Sequence, residues 1–309
     1  MDRQKLRWLV TALVFFTSSS AAQIYQWRDA SGRLQFGDRP PEHAQPGIVE
    51  QRQERTSRTS ELNILHHGFT LSEPASERIQ QGITTMLSVY TGVLGLDVRG
   101  DVAVNLHLIN SKGEFDSWVQ QRTGLPANPG IVGVYVTASR EVAVWNRGDE
   151  ERIVQTILHE SSHVILAQLA PRAPSWLHEG MARYLQTLQP DNGAVHIPPH
   201  EPSLIQIRAW LANGELVSLR DYFNIPEQRW RTMAHNMDAI PYTVAWGTVY
   251  FLMSSPVGQQ TLRRLLHDLE KSGQWPTAES INDRYPGGLT RMDYDFFRWA
   301  QGDIRPHRY

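Results

Sequence analysis

The sequence predicts an α+β fold, with a small sheet in its first half and helices through most of its second half. Alternating apolar and polar residues between 102 and 145 indicate short strands. Apolar residues at helical spacing recur from 203 to 301, which indicates a mostly helical C-terminal half. Between these regions lies a helical segment with the pattern His-Glu-x-x-His, which indicates a metal site.

Residues 1–22 have the organisation of a secretory signal peptide. Three basic residues precede the largely apolar stretch 8–16, and small residues up to Ala22 allow cleavage after that position. This apolar stretch is too short to span a bilayer. We therefore expect a periplasmic or secreted protein with no stable membrane span after cleavage, and an uncleaved anchor is the alternative.

Composition excludes some classes of partner and all chemistry that depends on cysteine. The 309 residues carry a formal net charge of −2 and no dominant basic face, which argues against a nucleic-acid partner. The absence of cysteine excludes disulfides, thiolate ligands and a lipid-modified cysteine. Apolar residues make up 40% of the chain, which is enough for a sizeable core. The oligomeric state stays open.

Residues 23–42 predict a small β-hairpin. Two short stretches of alternating apolar residues flank turn-forming residues at 29–32. The pattern resembles the short module YxWxDxxGxxxFxDxPP, which follows the signal peptide in many exported Gram-negative proteins. Such a hairpin either docks onto envelope partners or caps the main domain. Residues 43–62 are poor in apolar residues and predict a linker.

Five segments precede the metal-site pattern. Residues 76–96 predict an amphipathic helix, 102–108 a strand and 114–122 a short helix. Residues 133–136 and 141–145 predict a hairpin. The helix with the metal-site pattern begins within ten residues of this hairpin.

The segment 153–169 predicts a helix with a broad apolar arc. His159 and His163 lie opposite that arc and share one face, because residues four apart are neighbours on a helix. Both imidazoles can therefore bind one metal ion, and Glu160 between them can accept a proton from a metal-bound water. An ordinary surface helix is the alternative interpretation of the pattern.

A third ligand follows at a usable distance. Two prolines within 170–174 should end the first helix, and Ser175 is a plausible N-cap for a second helix over 176–188. That helix carries Glu179, and Gly180 beside it would allow close helix approach. Two histidines, one glutamate and one water form a four-coordinate catalytic zinc site with one exchangeable position.

These two helices together resemble a known family. His-Glu-x-x-His followed by Trp-Leu-His-Glu-Gly-Met-Ala-Arg-Tyr at 176–184 resembles the gluzincin metallopeptidases, most closely their peptidase MA-like branch. The resemblance implies one Zn²⁺ per chain on His159, His163 and Glu179, with Glu160 as general base. It also implies a gluzincin-like α+β domain over 63–309. The metzincin variant is excluded, because leucines occupy the places of its glycine and third histidine.

The resemblance also implies an oxyanion-stabilising side chain and a substrate-binding strand. Gluzincins supply a Tyr or His from a downstream helix, and Tyr242 is the expected donor, with Tyr250 and His235 as alternatives and a packing role as the default. Their sheet has an edge strand along the cleft, for which 141–145 is the candidate. An extended peptide could pair with that strand, although it could also be an ordinary sheet strand. His178 is expected at the rim of the site.

One position departs from the family. Thermolysin-like gluzincins place an Asp four residues after the ligand Glu, where it orients a zinc histidine, and here that position is Arg183. The partner of His159 is therefore unidentified. This departure leaves two functions open, namely an exported zinc peptidase that cleaves peptides or proteins, and a catalytically degenerate module that binds peptide or cell-envelope polymer.

The rest of the chain predicts a loop and five helices. Residues 189–202 form a Pro-rich, acidic segment in which His196 and His200 are expected to face solvent, with a role as a stray metal ligand as the alternative. The predicted helices are 203–212, 226–235, 242–253, 256–272 and 289–301.

Overall fold

The computed structural model describes residues 25–28, 34–37, 47–48, 60–97, 102–128, 130–191, 194–236, 238–272 and 277–309. The chain divides into two compact units, Met1–Ser57 and Arg58–Tyr309. The predicted signal peptide at 1–22 and most of the predicted linker lie outside the described residues. None of the described helices combines the length and the apolar character needed to cross a bilayer.

In the first unit, three short strands form one antiparallel sheet. Strands β1 (Tyr25–Arg28) and β2 (Leu34–Gly37) pair antiparallel within the segment expected to be a hairpin. A third strand, β3 (Gly47–Ile48), pairs with the other edge of β1. Residues 47–48 belong to the segment predicted as linker, which therefore carries a strand there.

The second unit contains a four-stranded mixed sheet in the order β4-β5-β7-β6. Strands β4, β5 and β7 are parallel, whereas β6 runs antiparallel to β7. Strand β4 begins inside the segment predicted as linker, because its first residues are mostly polar and show no clear alternation of apolar and polar side chains. The four strands are β4 (Ser60–His67), β5 (Val102–Ile109), β6 (Gly133–Val136) and β7 (Glu141–Trp145).

The prediction that 141–145 is the edge strand is wrong. Residues 141–145 form β7, which is flanked on both sides, and the edge next to it is β6. The hairpin was predicted, but its orientation depends on the pairing of β7 with β5. That pairing joins residues far apart in sequence, and alternation within a strand does not reveal it.

Helices cover both faces of this sheet. Val142 and Val144 point into the main core with α3, whereas Ala143 packs into a second cluster with Phe115 and Trp118 of α2. The helix predicted over 76–96 is divided, because α1 ends in a π-helical turn over Val89–Val93. The three helices of this half are α1 (Glu73–Ser88), α2 (Lys112–Thr123) and α3 (Glu150–Leu169).

The second half is mostly helical among its described residues, so the predicted α+β class is confirmed. The predicted helices are present with shifts of a few residues at their ends, and α6 and α10 were missed because they are too short to show periodicity. The helices are α4 (Ser175–Leu185), α5 (Glu201–Asn213), α6 (Leu219–Phe223), α7 (Glu227–His235), α8 (Ala239–Met253), α9 (Pro256–Ser272), α10 (Ala278–Asn282) and α11 (Gly288–Gln301).

The predicted loop over 189–202 is wrong. It contains strands β8 (Gln189–Asp191) and β9 (Ala194–Ile197), and the C-terminal strand β10 (His307–Arg308) pairs with β9. His196 therefore lies half-buried on β9. His200 is also half-buried. It is the N-cap residue of α5, and its Nδ1 accepts a hydrogen bond from the N–H of Ser203.

Helix α4 is held between α3 and α8. A Cβ at Gly180 would lie 2.7 Å from the carbonyl oxygen of Ala245 and 2.7 Å from Val249 Cγ2, so glycine is required for this contact. The close approach is thus to α8. Ser175 begins α4 instead of capping it, and its hydroxyl bonds to the carboxylate of Glu227 on α7. These contacts set the position of the helix that carries Glu179.

Candidate metal centre and cleft

Three side chains from two consecutive helices converge on the floor of a cleft in the second unit. His159 and His163 lie one turn apart on α3, and Glu179 lies on α4. The two Nε2 atoms are 3.3 Å apart. Glu179 Oε2 is 3.4 Å from His159 Nε2, and Glu179 Oε1 is 3.6 Å from His163 Nε2. No other group of three such side chains is close enough to hold a metal among the described residues.

These distances fit a zinc ion. Zinc bonds of about 2.0–2.2 Å in a tetrahedron put neighbouring ligand atoms about 3.3–3.5 Å apart, which matches the observed spacing. Within the described part of the chain, Glu179 Oε2 is buried and has no hydrogen-bond partner. A buried carboxylate oxygen without a partner costs free energy, and a cation between the three side chains would remove that cost.

The protonation states suit metal binding. Burial lowers the pKa of His163 to about 3, so its imidazole is neutral and has a lone pair for a metal. Burial alone would raise the pKa of Glu179, but His163 and His159 outweigh it and bring the pKa to about 2. Glu179 is therefore a carboxylate. His163 and Glu179 thus offer a neutral imidazole and an anionic oxygen, the ligand types of a catalytic zinc site.

Gln186 supplies the partner of His159 that the sequence left unidentified. Its Oε1 lies 2.9 Å from His159 Nδ1. Because an amide oxygen only accepts, Nδ1 carries a proton, which leaves Nε2, facing Glu179, as the nitrogen available to a metal. Burial alone would lower the pKa of His159, but the Glu179 carboxylate outweighs it and raises the pKa, so a metal would displace the proton from Nε2. Gln186 is the C-cap residue of α4, two turns after Glu179, and Arg183 lies one turn after Glu179, at the position where the resemblance expects an acidic residue. The one sequence signal for Gln186 is its separation of seven residues from Glu179, which places both side chains on the same helix face.

We expect Gln186→Ala to weaken zinc binding by about 10- to 100-fold, the usual effect of losing a partner that orients a metal-binding histidine. Competition between the protein and a chromogenic chelator for zinc measures this change. Gln186→Glu keeps an acceptor at the same place and should retain affinity close to that of the parent. Equal affinity in Gln186→Ala and the parent would show that Gln186 does not orient His159.

Glu160 lies beside the triad and faces the edge strand of the sheet. Burial raises the pKa of Glu160 to about 7, although the neighbouring His159 opposes this rise. The backbone N–H of Tyr135, on β6, donates a hydrogen bond to the carboxylate. A Cβ at Gly133 would lie 2.5 Å from Thr156 Cγ2 and 3.2 Å from Glu160 Cγ. Glycine at this position therefore lets β6 lie directly against Glu160.

We expect Gly133→Ala to lower the free energy of unfolding by about 1–3 kcal/mol, the usual cost of an overpacked contact. Urea denaturation measures this change. The double variant Gly133→Ala with Thr156→Ser lacks the γ-methyl group that the new Cβ would meet, so it should recover much of the loss. If the double variant loses as much stability as the sum of the two single variants, the contact with Thr156 is not the cause.

Tyr242, the expected oxyanion donor, lies at the start of α8 and lines the same cleft. Its ring stacks under the guanidinium of Arg183, with 4.7 Å from Cζ to the ring centroid. Of its two competitors, Tyr250 is buried, donates to the carbonyl of Ile197, 2.9 Å away, and does not line the cleft. His235 also lines the cleft but is exposed.

His178 lines the cleft without joining the metal cluster. Its ring centroid is 5.7 Å from that of His163, and its nitrogens are not among the converging ligand atoms. It is half-buried and lies beside His163 in the cleft, and its expected place at the rim stays a prediction.

The cleft has a volume of about 1460 Å³, which is large enough for several residues of an extended peptide. One wall is the edge strand β6 and the residues before it, and the floor is the triad with Glu160. The lining also includes residues of α7 and of the start of α8, among them Arg231 and Asp238. The strand that borders the site is therefore β6, and not the predicted strand 141–145.

Comparison with known proteins informs only the N-terminal part of the chain. Residues 11–62 match a domain of unknown function, DUF4124. The match includes the segments predicted as hairpin and linker and ends before the metal cluster. No curated protein matches the chain.

Proposed function

We propose that the second unit is a zinc-dependent peptidase of the gluzincin, peptidase MA-like type, and that the protein acts outside the cytoplasm. The observation that carries the proposal is the convergence of His159, His163 and Glu179 at tetrahedral spacing, with Glu160 beside them. The export part rests on the signal-peptide pattern at 1–22.

The residues at and beside the metal site then have defined tasks. A Zn²⁺ held by the triad supplies Lewis acidity and lowers the pKa of a bound water toward 7. Glu160 accepts a proton on its carboxylate and later delivers it to the leaving amine. The hydrogen bond from the N–H of Tyr135 holds that carboxylate in place. The hydroxyl of Tyr242 would donate to the carbonyl oxygen of the scissile bond as negative charge develops there.

The edge strand β6 favours a peptide over other substrates. In the sheet, β7 pairs with one side of β6, and no described strand pairs with the other side. An extended peptide can add to such an edge by main-chain hydrogen bonds, which are independent of its sequence. This arrangement would bring a peptide bond across the floor of the cleft, next to Glu160.

A peptide-binding module without catalysis is the second candidate, and Arg183 favours it. The family position of an acidic orienting residue is cationic here, and a weakly held metal would limit turnover. Gln186 argues against this alternative, because it already provides the acceptor for His159.

A cleavage screen separates these two functions. The zinc-loaded chain should cleave members of a random peptide library or casein, and a chelator should stop cleavage until zinc is added back. Mass spectrometry of the products gives the cleaved bonds. Binding of library peptides without any cleavage by the zinc-loaded protein would favour the binding module instead.

A further inference from the structure

Arg183 is a cleft cation without an anionic partner among the described residues. It lies on α4 one turn after Glu179 and lines the cleft. Two other cleft arginines are paired, since Arg152 lies 3.2 Å from an Asp149 oxygen and Arg231 lies 2.8 Å from a Glu227 oxygen. The guanidinium of Arg183 lies over the ring of Tyr242.

This guanidinium is preorganised to receive an anion. The ring of Tyr242 restricts the orientation of the guanidinium plane. The guanidinium has five N–H donors and keeps its positive charge at any pH that the protein tolerates. A partly buried charge without a counter-ion is costly. Glu179 is close enough to act on it electrostatically, but the Glu179 oxygens are directed at the two histidines.

The charges of the metal site strengthen this argument. A divalent cation at the triad would balance the carboxylates of Glu160 and Glu179. The charge of Arg183 would then have no counter-ion in the site. A carboxylate is the anion that a guanidinium binds best in a flat, two-pronged arrangement.

We propose that Arg183 binds a carboxylate group of the peptide substrate, so that the cleft selects peptides with a carboxylate close to the scissile bond. This inference rests on the proposed peptidase function. Tyr242 lies directly under the guanidinium and faces the same cleft, so the carboxylate binds near the reacting carbonyl. The carboxylate comes either from an Asp or Glu side chain or from the C-terminus of the peptide, and the two sources imply internal and terminal cleavage respectively.

Four fluorescent peptides of one parent sequence test the proposal. One is neutral with an amidated C-terminus, and a second is neutral with a free C-terminus. A third is amidated and contains one Glu, and a fourth has Gln in place of that Glu. The zinc-loaded full chain with Glu160→Gln serves as the binding protein, so that peptides are not consumed. Fluorescence anisotropy gives the dissociation constants.

We expect at least one carboxylate peptide to bind about 10- to 100-fold more tightly than its neutral partner, as for a charge-assisted hydrogen-bonded pair. Preference for the second peptide identifies the C-terminal carboxylate, and preference for the third identifies a side chain. Arg183→Gln should abolish the preference, and Arg183→Lys should keep part of it, since it retains the charge without the flat fork. Equal affinity for all four peptides, or a preference that survives in Arg183→Gln, would overturn the proposal.

Two controls separate this role from others. If Arg183 only positions Tyr242, Arg183→Gln in the chain with native Glu160 lowers kcat equally for all four peptides, and in the Glu160→Gln chain it leaves their dissociation constants unchanged. That result contradicts the proposal. Zinc content is measured in each variant, and the selectivity of the chain with native Arg183 gives a result even if the variants do not fold. Because binding is read without turnover, a chain that binds carboxylate peptides but cleaves nothing would refute the peptidase function and retain the carboxylate site.

Discussion

Glu160→Gln is expected to keep one zinc per chain and to slow peptide cleavage by about 10³-fold. The amide has nearly the shape of the carboxylate but cannot accept the proton, and loss of a general base costs about 10²- to 10⁴-fold. Metal content should not change, because Glu160 is not one of the three converging ligands. Turnover of a peptide from the library screen and zinc by mass spectrometry are measured on the same sample.

Glu150→Gln is the matched control for this variant. It makes the same chemical change in the first turn of the same helix, and its residue does not line the cleft. We expect its cleavage rate to equal that of the parent. If Glu160→Gln cleaves as fast as the parent while holding zinc, the assigned role of Glu160 is wrong.

His159→Ala is expected to lower the zinc content from about one ion per chain to nearly none. Losing one of three protein ligands leaves an incomplete site, and the remaining imidazole and carboxylate do not form a catalytic zinc centre. Zinc is measured after dialysis against metal-free buffer. Bound zinc also stabilises the fold, by about 4 kcal/mol when free zinc is 1,000 times its dissociation constant. The parent should therefore show a rise in Tm on zinc addition that His159→Ala does not show.

His178→Ala is the control for metal loss. It removes another cleft imidazole, one that lies beside His163 but outside the converging ligand atoms. It should retain zinc and the zinc-dependent rise in Tm. Loss of zinc in His178→Ala as well as in His159→Ala would mean that the ligand set has been assigned incorrectly.

Helical spacing was the most informative part of the sequence. His159 and His163 share a helix face by their separation alone, and the break at 170–174 indicated a second helix that could return Glu179 to them. In the structure, these three side chains converge. Local rules were weaker for short elements, because five-residue helices such as α6 have no periodicity to detect.

Strand order was outside the reach of the sequence. The hairpin 133–145 was visible in the alternation, but the strand that borders the cleft depends on the pairing of β7 with β5 across more than thirty residues. Gly133 shows the consequence, since a side chain there would meet Thr156 and Glu160, which lie on a different element. Such a contact leaves no periodic signal in the chain.

By itself, the sequence determined which side chains could share a metal ion, because the geometry of a helix depends only on residues a few positions apart. Tertiary structure alone decided that β6 borders the cleft, that Gln186 is hydrogen-bonded to His159 and that Arg183 faces the cleft without an anionic partner among the described residues. These features arise where separate elements pack together. Packing depends on long-range contacts, which the periodicity of any one segment does not encode.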